Sequence, residues 1–240
     1  MKIKDLSRAA RKIIPLKYCG AVIVAAGTAS RMGGIDKVMA PLKGEPMIVH
    51  TTRAFQESDV IREIVIVTRP DLQKEIEGLC RGFDKVKAVV VGGSTRPESV
   101  ENGLSALSDN VKLAAVQDGA RPLISWQVID RTVRAANTYG AAAPAVPVKD
   151  TVKVVRGGVV AATPERSRLQ AVQTPQVFDY DLLQAALQKA KKENIGITDD
   201  CSAAERMGMT VKIVEGDERN IKVTTPMDLK IAEILMEEML

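Results

Sequence analysis

The chain has 240 residues, of which 45% are apolar, 27% charged and 3% aromatic, enough to bury a sizeable core in one large domain or two small ones. No apolar run approaches the roughly 18 residues of a membrane-spanning helix, and the aromatics are too few to stack single-stranded nucleic acid. The net charge of +4 is uneven: Met1 to Cys19 carries six Lys or Arg against one Asp, and the remainder is close to neutral.

The basic stretch 1–19 reads as an extension outside the main domain. It lacks the long apolar region of a signal peptide. Its apolar positions Ile3, Leu6, Ala10, Ile13 and Ile14 follow a helical period, which fits a docked or frayed helix better than a membrane-surface one. Three widely spaced cysteines, Cys19, Cys80 and Cys201, argue against a disulfide framework or a cysteine zinc site and fit a reducing cytoplasm.

From Cys19 onward short β-rich runs alternate with longer helical patterns. Strands are expected at Ala21–Ala25, Glu63–Thr68, Val86–Val91, Leu113–Gln117 and Ala141–Pro147. Helices are expected near Met47–Gln56, Leu72–Leu79, Glu98–Leu107 and Gln127–Ala136. The alternation predicts an α/β fold, a Rossmann-like, mostly parallel sheet with helices on both faces. Ligands of such sheets sit beyond the carboxyl ends of the strands.

Three segments at those ends stand out. Ala21 to Lys37 reads AVIVAAGTASRMGGIDK, a buried strand followed by Ala25, Ala26 and Gly27. Small residues there let backbone N–H groups approach a phosphate, and Arg31 and Lys37 add positive charge beside it. The spacing is neither G-x-G-x-x-G nor a G-K-[ST] loop. After Val91 comes GGSTRPES (Gly92 to Ser99), whose paired glycines and hydroxyls can contact a base or ribose. After Gln117 comes DGARP, where Asp118 can hold a magnesium ion on phosphate oxygens. Each segment alone also fits a solvated turn; three at one sheet edge argue for a site.

Residues 151–162, TVKVVRGGVVAA, alternate around Gly157-Gly158 and predict a hairpin. No long helix separates it from the preceding strand, so it projects as an arm at about 148–168. Two strands alone are marginal in water, and pairing with a second subunit is favoured over packing on its own domain. Beyond the arm lie TPQ (Thr174 to Gln176), a helix at Tyr180–Lys192 and TDD (Thr198 to Asp200). There Thr198 or Asp199 reads as a helix N-cap rather than a metal ligand. Met209–Glu215 reads as a strand, and Pro226 opens a C-terminal helix.

AAGTASRMG, GG with RPES, DGARP, VPVKDT, TPQ, TDD and NIKVTTPMDL stand in order from about Gly20 to Leu240. Together they resemble the 2-C-methyl-D-erythritol 4-phosphate cytidylyltransferases of the non-mevalonate isoprenoid pathway. The A-G-x-x-x-R-M element is common to many nucleotidyltransferases; DGARP with VPVKDT and NIKVT is specific. The resemblance implies a single nucleotidyltransferase domain at 20–240, working in the cytoplasm on CTP and a polyol phosphate with Mg2+. It implies Arg31, Lys37 and Lys222 as catalytic cations and Asp118 as a residue that helps place magnesium or orders the groups around it. Ala25, Ala26, Gly27, Gly92 and Ser99 would line the cytidine and phosphate site. Thr151 and Arg166 would reach the acceptor of a neighbouring subunit across the arm, making a homodimer, with Thr174 at the same substrate end.

The chain departs from the family pattern at Ala29, where glycine is usual, and at Asp36, where proline often precedes the lysine. The interval from Arg31 to Lys37 is one residue shorter than usual, and DGARP follows Gln117 and contains Gly119. Two rival readings stay open, the same transfer to ribitol 5-phosphate and a non-catalytic nucleotide-binding protein on the same fold. His50, the only histidine, sits in a helical stretch and reads as structural.

Overall fold

The computed structural model describes residues 15–27, 36–193 and 196–238. Arg31, Ala29 and most of the basic extension lie outside them. In chain order the elements are β1 (Cys19–Val24), β2 (Pro41–Leu42), β3 (Glu45–Pro46), α1 (Met47–Glu57), β4 (Ile61–Thr68), α2 (Gln73–Leu79), β5 (Val86–Val91), α3 (Arg96–Ser105), β6 (Leu113–Asp118) and α4 (Trp126–Tyr139). They continue with β7 (Ala141–Pro147), β8 (Val154–Arg156), β9 (Val159–Ala162), β10 (Gln170–Val172), β11 (Gln176–Asp179), α5 (Tyr180–Lys192), α6 (Asp200–Arg206), β12 (Lys212–Glu215) and α7 (Pro226–Glu237).

The main sheet has eight strands in the order β10-β7-β11-β6-β1-β4-β5, with β12 added on β7. The pairs of β1 with β4 and β6, of β4 with β5 and of β12 with β7 are parallel. This bears out the expected architecture and places the ends of β1, β4, β5 and β6 along one edge.

The strands read as continuous apolar runs because both faces are covered. Ala21 and Ile23 of β1, with Ile64 and Ile66 of β4, pack against Ile48 and Phe55 of α1 and Val128, Ile129 and Val133 of α4. The alternate residues Val22, Val65 and Val67 meet Val100 and Leu104 of α3, Leu183 and Leu187 of α5 and Ala204 of α6. A third cluster, with Leu42, Met47, Leu123, Val223 and Ala232, seats α7.

Caps set the helix ends that matter here. Thr95 caps α3, its hydroxyl accepting from the Glu98 N–H at 3.3 Å. Thr225 and Asp228 form a capping box at α7, with Pro226 in its first turn as expected. Asp199 caps α6 in a second capping box with Ser202, the role the sequence assigns to Thr198 or Asp199.

The short strands β2 and β3 and, in the main sheet, β10 and β11 have no counterpart in the sequence expectations. β10 and β11 run antiparallel along one edge of β7, pairing Val172 with Ala145 and Val177 with Ala142. Between them Gln173, Thr174 and Pro175, the last after a cis peptide bond, interrupt the ladder. β11 also pairs antiparallel with β6, and so wedges between β6 and β7. The hairpin β8–β9 turns at Gly157 and Gly158, both at positive φ. Among the described residues its strands pair only with each other. Val154, Val155, Val159 and Val160 are 42–70% exposed.

Candidate active site

A cavity of about 430 Å³ opens at the carboxyl edge of the sheet. Its walls come from Val24 to Gly27 after β1, Arg69 after β4, Gly93 to Arg96 and Ser99 around the start of α3, Asp118 to Ala120 after β6, Lys37 and Lys222. This is where open α/β sheets bind ligands, and the ladder keeps these loops close. Ala25 N–H donates to Val67 O at 2.7 Å, Gly92 N–H to Thr68 O at 2.8 Å and Gly119 N–H to Val24 O at 2.9 Å.

Of the residues proposed from sequence, Ala25, Ala26, Gly27, Lys37, Ser99, Asp118 and Lys222 line this one cavity. Gly92 stands just behind the wall. A Cβ on it would lie 2.6 Å from Ala26 Cβ and 2.7 Å from Ser99 Oγ, so only glycine lets the first loop close on α3. Ser99 Oγ accepts from the Gly93 N–H at 3.1 Å and donates to Thr95 O at 2.9 Å.

Asp118 is the centre of charge. Its Oδ2 lies 2.9 Å from Lys222 Nζ and 3.4 Å from Arg121 Nε, and its Oδ1 faces Arg96 at 3.8 Å. Burial pushes the Asp118 carboxyl up, but Lys222, Arg96 and Arg121 together outweigh it and hold it below the ordinary range. Burial also pushes Arg121 down, with Asp118 opposing. For Arg96 the burial cost is overcome by Asp200 and then Asp118, which hold the guanidinium above its usual value.

Distant segments fix these groups. Thr174 is buried, and its Oγ1 accepts from the Asp118 N–H at 3.1 Å. Asn220 donates to Thr174 O at 3.0 Å and to Gln173 Oε1 at 3.3 Å, and its own carbonyl accepts from Arg121 at 2.7 Å. Val223 N–H donates to Ala120 O at 2.9 Å. Lys222 therefore projects from a segment clamped on both sides, which explains the NIKVT run in structural terms.

Lys37 lines the same cavity, its Nζ 4.0 Å from where a Cβ on Gly27 would be. Asp36 takes part in placing it. One carboxylate oxygen accepts from the Val38 N–H at 3.0 Å, and the other pairs with Arg69. Arg69 also pairs with Asp71 at 2.9 Å. An ion pair to the end of β4 thus anchors the chain where proline often stands in the family.

Thr151 and Arg166 are not brought to this cavity. Both are exposed beside the arm, and Arg166 donates to Lys149 O at 2.8 Å. His50 Nε2 lies 2.8 Å from Leu42 O, away from the cavity wall. Arg69, Arg96, Arg121 and Asp200 carry no site role in the sequence reading. Arg96 and Arg121 lie in RPES and DGARP, where an arginine next to proline beyond a strand end is the available signal.

Among the described residues no cluster of three or more His, Cys, Asp or Glu could hold a metal by itself. Asp118 does fit a hard cation shared with a ligand, since its Oδ1 has no ion pair closer than the 3.8 Å to Arg96 among the described residues. Magnesium on nucleotides commonly uses one or two carboxylates plus phosphate oxygens. No helix among the described residues is long and apolar enough to cross a membrane.

Comparison with known proteins shows the family. The pattern of the IspD family, 2-C-methyl-D-erythritol 4-phosphate cytidylyltransferase, matches residues 19–238. The cytidylyltransferase of that name from Caldanaerobacter subterraneus is 43% identical over 91% of this chain and 98% of its own. The one from Desulforamulus reducens is 44% identical over 90% of this chain and 95% of its own. The crystal structure of 4-diphosphocytidyl-2C-methyl-D-erythritol synthase from Anaerococcus prevotii superposes with a TM-score of 0.85 at 31% identity, over 95% of this chain and all of that one. With the matched region running almost end to end, the chain belongs to the 2-C-methyl-D-erythritol 4-phosphate cytidylyltransferase family.

Proposed function

We propose that this protein transfers CMP from CTP to 2-C-methyl-D-erythritol 4-phosphate, giving 4-diphosphocytidyl-2-C-methyl-D-erythritol and pyrophosphate. The observation that carries the reading is the Asp118–Lys222 pair at 2.9 Å lining one cavity together with the Val24–Gly27 loop. An acceptor phosphate oxygen attacks the α-phosphorus in line. One P–O bond forms, the bond to the β-phosphate bridge breaks, and pyrophosphate leaves with the electron pair. The nucleophile is already an anion, so no general base is needed, in keeping with a cavity that holds no histidine.

Catalysis then rests on positioning and on charge. The backbone of Ala25, Ala26 and Gly27, with Ser99 and the start of α3, forms the nucleotide cradle, with Gly92 behind it. Lys37 and Lys222, both lining the cavity, supply positive charge to the α-phosphorus, and Arg31 is assigned the same task by its place in the family motif. Mg2+, when bound with the nucleotide, neutralises triphosphate charge, and Asp118 is the residue that would hold it. Thr174 keeps Asp118 in register.

The arm belongs to this reading. Its exposed valines need cover in water, and a homodimer built through it would carry Thr151 and Arg166 to the partner's acceptor pocket. The same reading places the enzyme in the cytoplasm, with its three cysteines free and buried.

Assay of the purified protein with CTP, Mg2+ and each polyol phosphate tests the proposal. Turnover with methylerythritol phosphate is expected. Turnover with ribitol 5-phosphate alone would overturn the acceptor, and none with either would favour a nucleotide-binding role without catalysis. Arg166→Ala is expected to raise the KM for the polyol phosphate about tenfold or more, with the KM for CTP nearly unchanged. Equal effects on both would remove Arg166 from the acceptor side.

A further inference from the structure

Behind the cavity lies a carboxylate that the reaction itself does not use. Asp200 has no exposed surface, and its Oδ1 has no hydrogen-bond partner among the described residues. Its Oδ2 pairs with Arg96 at 2.8 Å. Burying an acid with one oxygen unsatisfied is a poor arrangement for stability alone, and apolar packing would serve the fold better.

Its surroundings are built to hold it still. Asp199, the cap of α6, accepts from the Ser202 N–H at 2.9 Å. Gln176 of β11 donates to Asp199 Oδ2 at 2.8 Å and accepts from the Cys201 N–H at 3.0 Å. The TPQ and TDD segments thus form one clamp that fixes Asp200 at the first position of α6. Arg96, at the first position of α3, lies between two carboxylates, 2.8 Å from Asp200 and 3.8 Å from Asp118. With Asp200 neutral, the guanidinium would be drawn onto Asp118 as its remaining anionic partner in the cavity wall. It would cover Oδ1 and turn its donors away from the open space.

We propose that Asp200 is a positioning residue for nucleotide binding: it holds Arg96 at a stand-off from Asp118, leaving N–H donors of Arg96 and Oδ1 of Asp118 available to a triphosphate. The proposal deepens the CTP reading above and rests on it.

A double-mutant cycle on the full-length protein tests it, reading CTP dissociation constants by calorimetry and melting temperatures without ligand. Asp200→Asn is expected to weaken CTP binding about tenfold while the KM for the polyol phosphate stays within about twofold. In an Arg96→Met background the same change is expected to shift CTP affinity by less than about twofold. It should also raise the melting temperature, because an unpaired buried carboxylate is removed. An equal loss of CTP affinity from Asp200→Asn with and without Arg96 would overturn the proposal. If Asp200→Asn does not fold alone, the melting comparison of Arg96→Met with the double variant decides: a double variant no more stable than Arg96→Met overturns it. Wild-type protein that neither binds nor turns over CTP would overturn the functional reading itself. Wild-type turnover with an unaltered Asp200→Asn variant would overturn only the role of Asp200.

Discussion

Lys222→Ala is expected to lower kcat about a thousandfold while the CTP dissociation constant changes by only a few-fold. The asymmetry follows from where the ammonium sits. Lys222 lines the cavity with a partly exposed side chain, 2.9 Å from Asp118 Oδ2. In the resting protein much of its charge is spent on that carboxylate. Ground-state CTP has Lys37, Arg96 and the backbone cradle to bind it, so losing one ammonium costs little affinity. In the transition state charge accumulates on the equatorial oxygens of the α-phosphorus, and an ammonium there contributes far more.

The fold should survive the change. Asp118 Oδ2 keeps Arg121 at 3.4 Å, and the Asn220 and Val223 anchors that hold the segment do not involve the lysine side chain. Pre-steady-state turnover with calorimetric CTP binding separates the effects. A kcat within tenfold of wild type would remove Lys222 from the chemistry, and a matching loss of affinity would recast it as a binding residue.

The sequence made some parts of this site plain and hid others for physical reasons. β1, β6, β7 and the latter part of β4 are legible because burial on both faces demands apolar runs, and the edge strand β5 by its valines; the site follows from the carboxyl ends of β1, β4, β5 and β6. β10 and β11 are only three and four residues long and are split at Gln173 to Pro175, too short for any period to show. The insertion of β11 between β6 and β7, just after the Gln173–Pro175 break, is what brings Thr174 onto the Asp118 N–H. Asp199 and Asp200 show the limit most clearly. Adjacent acids at a helix start carry the same local signal, and the N-cap reading was right for Asp199. Nothing within ten residues says that Asp200 is fully buried against an arginine 104 positions away. Asp36 is similar: a turn acid in sequence, a partner of Arg69 in space.

Asp118→Asn is expected to cost about 3 kcal/mol of folding stability at pH 7 and to reduce turnover at least a hundredfold. Asparagine keeps the shape but removes the negative charge that Lys222, Arg96 and Arg121 share. The Arg121 side chain is only 11% exposed, so its charge cannot simply turn to water. The penalty sits toward the low end for a broken buried pair because Arg96 retains Asp200 and Arg121 retains the Asn220 carbonyl.

The pH dependence identifies the source. The Asp118 pKa is depressed in the folded state, so its stabilisation is fully present above the unfolded aspartate value of about 3.9. It is lost as pH falls through the lower folded value, where the wild-type side chain becomes protonated and resembles asparagine. The stability gap between wild type and Asp118→Asn should therefore be constant from neutral pH down to about pH 4 and narrow below it. Urea denaturation at a series of pH values measures the gap. A gap that widened in acid, or that was absent at neutral pH, would show that the three cations do not depend on Asp118 for their place in the site.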